Sequence, residues 1–194
     1  MLEEESPRLF ITGAASGLGR ALAIGYARRG GRIGIADVND DRARETAAVV
    51  SAAGGEPLVL HCDIRDDDQV RAAAGEVEKT WGGVDIVINN AGVAAAGTVT
   101  DTDVDDWRWI IDINLLGAVR VCQAFVPLMQ RSREGHVVNV ASRVTDTASG
   151  GVSLITRDVR EAAGSLPMVS YTNTRSVAPE SLTEDVEVSE VTLG

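Results

Sequence analysis

The chain has 194 residues, enough for one domain with a substantial core, and 44% of them are hydrophobic. With 18 basic against 29 acidic side chains, the net charge of −11 repels phosphate backbones and anionic lipid surfaces, which argues against nucleic-acid or membrane binding. The opening MLEEESPR lacks the basic and apolar regions of a signal peptide, and no apolar run approaches the roughly 18 residues that span a bilayer, so a cytoplasmic protein is expected.

Five short apolar runs alternate with helical stretches. The first is RLFIT (8–12), and it leads into FITGAASGLGR (10–20). Glycines at 13, 17 and 19 there follow a strand and open a helix: Gly13 permits the tight turn, while Gly17 and Gly19 allow backbone to approach a diphosphate at the helix N-terminus. The turn also contains Ser16 and Leu18, giving a candidate cofactor-binding set of Gly13, Ser16, Gly17, Leu18 and Gly19. GRIGIADV (31–38) is the second strand and ends at Asp37. A carboxylate at that place can accept hydrogen bonds from both ribose hydroxyls and would repel a 2′-phosphate, so NAD is expected ahead of NADP, with Arg20 the group that could offset the repulsion.

Asn39 is placed to cap a helix that stops at Gly54–Gly55. PLVLHCD (57–63) reads as the third strand, and Asp66 with Gln69 has capping-box spacing before a helix that stops at Gly82–Gly83. VDIVINN (84–90) is the fourth strand. A longer helix from about Asp103 to 130 places Trp107, Ile111, Leu115, Val119, Cys122, Phe125 and Met129 on one face, with Pro127 expected to kink or end it. Asn114 lies mid-helix among apolar residues, so its amide must find partners, either nearby backbone or a functional group. GHVVNVAS (135–142) is the fifth strand, and Ser142 at its end could cap a turn or serve chemistry.

Nearly continuous Val, Ile and Leu in these runs indicates strands covered on both faces. The expected fold is therefore α/β, a doubly wound parallel sheet of Rossmann type in three α/β/α layers, with ligands bound beyond the carboxyl ends of the strands. After Arg143 the pattern degrades: one short helix is conceivable near 156–163, and the closing LTEDVEVSEVTLG is read without a further strand. Residues 1–194 are thus read as a single dinucleotide-binding domain, well defined over 8–142, with 143–194 a divergent tail that leaves the C-terminal part incomplete. Cys62 and Cys122 sit in buried-looking runs and are read as packing thiols, and His61 and His136 lack metal-ligand spacing, so no metal site is expected.

TGxxxGxG at 12–19, CDIRD at 62–66, NNAG at 89–92, the helix WRWIIDINLLGAVRVCQAFVPLM and the strand GHVVNVAS occur in an order that resembles the short-chain dehydrogenase/reductase family over residues 8–142. The resemblance implies hydride transfer between a nicotinamide cofactor and a secondary alcohol or ketone. It implies that Asp63 and Ile64 face the adenine, that Asn90, Ala91 and Gly92 floor the cofactor site, and that Asn114 and Ser142 occupy catalytic positions, Asn114 holding a water in a proton relay. The long helix 103–130 resembles the family's oligomer-forming helix, which implies a homo-oligomer. YTNTRS is similar to the family's catalytic tyrosine segment, making Tyr171 the acid/base and Arg175 the cation one helical turn on. Two departures stand out: arginine replaces the family's lysine, and Ser142 and Tyr171 are further apart than usual. Family members also continue for about fifty more residues that add two strands and cover the substrate, so the fifth strand is expected to present an apolar edge here. Tyr171 as an ordinary tyrosine, and the chain as a catalytically silent dinucleotide-binding or assembly module, are the competing readings.

Overall fold

The computed structural model describes residues 6–94, 100, 102–129, 135–143, 152–156, 169–177 and 186–193. They belong to two compact units, Met1–Asn139 and Val140–Gly194, where composition suggested one domain.

In the first unit the strands are β1 (Arg8–Thr12), β2 (Arg32–Asp37), β3 (Glu56–His61), β4 (Ile86–Asn89) and β5 (His136–Asn139). All pair in parallel, in the order β3-β2-β1-β4-β5. The helices are α1 (Gly17–Ala27), α2 (Asp40–Ala52), α3 (Asp67–Trp81), α4 (Val104–Ile111) and α5 (Ala118–Met129). This is the expected doubly wound arrangement. Alternation along β1 divides the core: Phe10 packs with Val77 and Trp81 of α3 and with Phe125 of α5, its ring 3.9 Å from that of Phe125. Leu9 faces the other way, beside the end of α1. At the amino end of the sheet, Arg8 forms a bidentate pair with Asp85 (2.6 and 3.0 Å), fixing β1 against β4.

Local signals set the helix ends. Asn39 accepts from the Arg42 amide, and Asp66 accepts from the amides of Asp68 and Gln69. Gln69 turns back to accept from the Asp63 amide at 2.9 Å rather than from Asp66, a capping box stretched across the β3–α3 turn. Gly82 ends α3 in the left-handed conformation at φ 73°.

The long helix departs from expectation. Between α4 and α5 lies a π turn, Asp112–Gly117, carrying Asn114, and Pro127 is accommodated within α5 near its end. The expected apolar face consequently divides: Phe125 and Met129 are core, whereas Trp107, Ile111, Leu115 and Val119 are exposed. Contrary to the sequence reading, Val104–Met129 is long and apolar enough to cross a membrane by length and composition alone. Its α5 part is nonetheless built into the core through Val121, Phe125, Leu128 and Met129.

The second unit is a four-stranded antiparallel sheet in the order β6-β7-β9-β8, made of β6 (Ala141–Arg143), β7 (Val152–Thr156), β8 (Val169–Val177) and β9 (Val186–Leu193). The closing segment is therefore a strand, and the helix conceived near 156–163 falls mostly on residues 157–163, outside those described.

Candidate functional site

The carboxyl ends of β1, β2, β3 and β4 converge on an open groove of about 480 Å³, within the size range of cofactor sites. Its wall contains Gly13, Ser16, Gly17 and Leu18 from the β1–α1 turn, Asp37 after β2, Asp63 and Ile64 after β3, and Asn90, Ala91 and Gly92 after β4. Ten of the eleven residues expected to bind cofactor are thus brought together; the exception is Gly19.

The three glycines do different physical work. Gly13 and Gly17 both have left-handed backbones, at φ 65° and 52°. A Cβ on Gly17 would meet nothing within 4 Å, so its main chain faces open groove and can be approached by a ligand. Gly19, expected to share that task, instead packs: its Cβ would lie 2.4 Å from the Gly13 carbonyl oxygen and 2.5 Å from Asn90 Nδ2. Only glycine fits there, because the first turn of α1 presses against the turn that precedes it. Ser16 is the N-cap of α1 by position but makes no side-chain cap bond.

Asp37 is held by main chain. One carboxylate oxygen accepts from the Ala15 amide at 3.0 Å and the other from the Asn39 amide at 2.9 Å, tying the glycine turn to the end of β2. A carboxylate accepting one amide hydrogen bond at each oxygen still has lone pairs for further donors. Thr12, which the sequence reading passed over, is the second knot. Its buried hydroxyl oxygen accepts from the amides of Asn90 and Ala91 (both 3.0 Å), and Asn90 Nδ2 donates to the carbonyls of Thr12 and Gly13 at 2.9 and 3.2 Å. A hydroxyl closing the otherwise apolar run FIT was the available signal. The ends of β1 and β4 are therefore locked together, and the floor of the groove is fixed in advance.

Asn114 has found its partners in backbone. Its Oδ1 accepts from the Val93 amide and its Nδ2 donates to the Val93 carbonyl, both at 2.8 Å. This two-point clamp holds the segment after Gly92 and so helps position the groove wall.

At the far end of the groove, the Arg65 guanidinium grips Asp63, Nε reaching both carboxylate oxygens (3.0 and 3.1 Å) and Nη2 one of them (2.6 Å). These bonds hold the Asp63 carboxyl below the usual carboxylate value. Neighbouring Cys62 behaves oppositely: burial first, then the charges of Asp63 and Asp66, push its thiol up to about 12. It lines the groove as an inert, protonated thiol, in keeping with a packing role. Arg65, Val38, Val93, Trp109 and Ile113 complete the wall, and none of these was singled out from sequence. Among the described residues, no group of three or more His, Cys, Asp or Glu is placed to hold a metal ion.

The remaining expected residues lie in the second unit. Ser142 is in β6, paired with Ser153. Tyr171 and Arg175 are both in β8, opposite Val191 and Val188, with a register shift between Thr172 and Arg175. They are not one helical turn apart: four residues advance about 13 Å along a strand but about 6 Å along a helix. The expected helical pairing of tyrosine and cation is thus replaced by a bulged strand.

A profile for short chain dehydrogenase matches residues 8–154. Among curated relatives, a 3beta-hydroxysteroid dehydrogenase of Mediterraneibacter gnavus is 38% identical over 135 residues, covering 69% of this chain and 49% of the relative. A D-threitol dehydrogenase of Mycolicibacterium smegmatis is 38% identical over 138 residues, covering 71% of this chain and 53% of the relative. Among solved structures, a short chain dehydrogenase/reductase from Burkholderia phymatum in complex with NAD aligns with a TM-score of 0.68 at 34% identity, over 73% of this chain and 51% of that one. A metagenomic short-chain oxidoreductase in complex with NADP aligns at 0.67 and 28% identity, over 74% and 66%. The chain spans about half the length of these two curated relatives. The parallel sheet, the glycine turn and the matched profile agree: this chain belongs to the short-chain dehydrogenase/reductase family.

Proposed function

We propose that the groove at the carboxyl ends of β1 to β4 binds a nicotinamide dinucleotide, and that the protein serves an oxidoreductase reaction on a secondary alcohol or ketone. The observation that carries the reading is the pairing of an open, left-handed Gly17 main chain with an Asp37 carboxylate already oriented by two amides. A diphosphate needs close approach to backbone N–H groups, which a side chain at position 17 would obstruct. Adjacent sugar hydroxyls need an acceptor, which Asp37 supplies. The same carboxylate would repel a 2′-phosphate, so NAD is preferred to NADP. Bound nicotinamide would accept or give the hydride; the chain's part is to position it and to move the alcohol proton.

For proton movement we retain Ser142 and Tyr171, with Arg175 as a fixed positive charge. A phenol with an ordinary pKa near 10 needs a cation brought close to it to act as a base, which the strand spacing of Tyr171 and Arg175 does not supply by itself. Asn114 contributes by holding the 92–93 segment through Val93. The exposed row Trp107, Ile111, Leu115 and Val119 supports self-association through 103–130, which sedimentation of the parent and of Leu115→Glu would test: a shift from dimer to monomer supports it, identical coefficients refute it.

The test of the cofactor reading is a thermal-shift titration. NAD should raise the midpoint more than NADP, and Gly17→Asp should abolish the rise while leaving the unliganded protein folded. No stabilisation of the parent by either nucleotide at millimolar concentration refutes the proposal. Tyr171→Phe should eliminate NADH formation from an alcohol panel. Nucleotide affinity without turnover in the parent would restrict the function to binding.

A further inference from the structure

The end of the groove beyond Asp37 is bounded by segments distant in sequence: Asp63, Ile64 and Arg65 after β3, and Trp109 and Ile113 on α4 and the π turn. Behind this wall stands Arg120 of α5, which does not line the groove. Its Nη1 donates to the carbonyl of Ile64 at 3.5 Å and to that of Asp112 at 3.3 Å. Its Nη2 meets the Asp112 carboxylate at 2.7 Å, and its Nε meets the Asp67 carboxylate at 3.3 Å. The side chain is 21% exposed, so these contacts are shielded from most competing water. A planar fork of fixed donors thus joins one wall, at Ile64, to the residue preceding Ile113 in the other.

The two segments also press on each other. A Cβ on Gly117, the last residue of the π turn, would lie 2.5 Å from Ile64 Cδ1, so the turn and the β3–α3 connection meet with no space to spare. A π turn is seldom stable by itself and needs tertiary support. Arg120 supplies that support at the one place where the turn borders the groove.

We propose that Arg120 is a positioning residue that sets the spacing between the Ile64 and Ile113 walls, and so the thickness and breadth of the heterocycle accepted at the adenosine end. This rests on the dinucleotide-binding reading above. The positioning is exerted through Ile64 and Asp112, and no contact between Arg120 and ligand is required.

The experiment compares the full chain with Arg120→Met and Asp67→Asn, measuring dissociation constants for NAD and for its broader analogue 1,N6-etheno-NAD. The parent should bind NAD about tenfold more tightly than the etheno form, the scale of one charge-assisted hydrogen bond. In Arg120→Met the ratio should fall towards one, with NAD weakened and the etheno form little changed. Asp67→Asn removes only the outermost anchor, which is 61% exposed, and should move the ratio part of the way even if Arg120→Met does not fold. A parent without preference overturns the proposal. Variants that weaken both ligands by the same factor also overturn it, since that is general destabilisation. If the parent binds neither dinucleotide, the cofactor reading falls and takes this proposal with it; if it binds both and the ratio is unmoved by the substitutions, only this proposal fails.

Discussion

The two units of the chain use backbone hydrogen bonding in opposite ways. Among the described residues of 6–139 every strand runs parallel, so each connection must climb back over the sheet, and the strand ends collect at one edge where separate turns can share a groove. Among the described residues of 140–194 the four strands are antiparallel, with Tyr171 and Arg175 on one of them. The first arrangement concentrates chemistry from distant sequence at one place; the second distributes residues along a ladder. Residues that family resemblance groups together, Asn114 with Ser142, Tyr171 and Arg175, are thus carried by two kinds of scaffold.

The comparison is broken most severely at Gly19. Gly19→Val puts side-chain atoms where the Gly13 carbonyl and Asn90 already stand, and about 3 kcal/mol of stability should be lost together with nucleotide binding, read by denaturant unfolding and NAD titration. Gly17→Asp should spare most of the stability, losing about 1 kcal/mol to its left-handed backbone, yet abolish binding equally. If the two variants behave alike in unfolding, the division of labour between the glycines is wrong. Asn90→Ala removes bonds to the Thr12 and Gly13 carbonyls and should cost about 2 kcal/mol, with weaker NAD binding. Tyr171→Phe tests the other unit: nucleotide affinity should stay within about twofold of the parent, a change under about half a kcal/mol.

The smallest effect concerns acid. Arg65 lowers the Asp63 carboxyl below its ordinary 3.8, so the contribution of this group to stability is complete above that value and is lost as pH falls through the lower folded value. Asp63→Asn should therefore narrow the gap to the parent on acidification below 3.8 and leave it constant above, as measured by urea midpoints across that range. A gap that instead widens towards low pH contradicts the sign.

Much of the first unit was legible because its signals are local. Apolar runs mark β1 to β4, Asn39 and Asp66 cap α2 and α3, and Gly82 stops α3 in the left-handed conformation that glycine adopts cheaply. The groove residues after β1 and β2 were found the same way, as punctuation at strand ends, whereas those after β3 and β4 came from the family resemblance. The features that escaped depend on partners far along the chain. The role of Gly19 is set by Asn90, the π turn by Ile64 and Arg120, and the engagement of Asn114 by Val93. The second unit escaped for another reason. VEVSEVTL alternates only in part, and its acidic residues outweighed Val186, Val188, Val191 and Leu193 as a strand signal.

The π turn between α4 and α5 has a geometric consequence for the whole helix. One i→i+5 turn admits a single surplus residue, and since each helical residue rotates the side-chain direction by roughly 100°, the stretch before it is dialled out of phase with the stretch after it. Trp109 and Ile113, which border the ligand cleft, are thereby brought onto nearly the same face as Val121 and Phe125 farther along the rod, and Ile113 packs against the core cluster those two belong to. Excising one residue from 112–117 would restore an unbroken α-helical rod and swing one of these two sets away from its task.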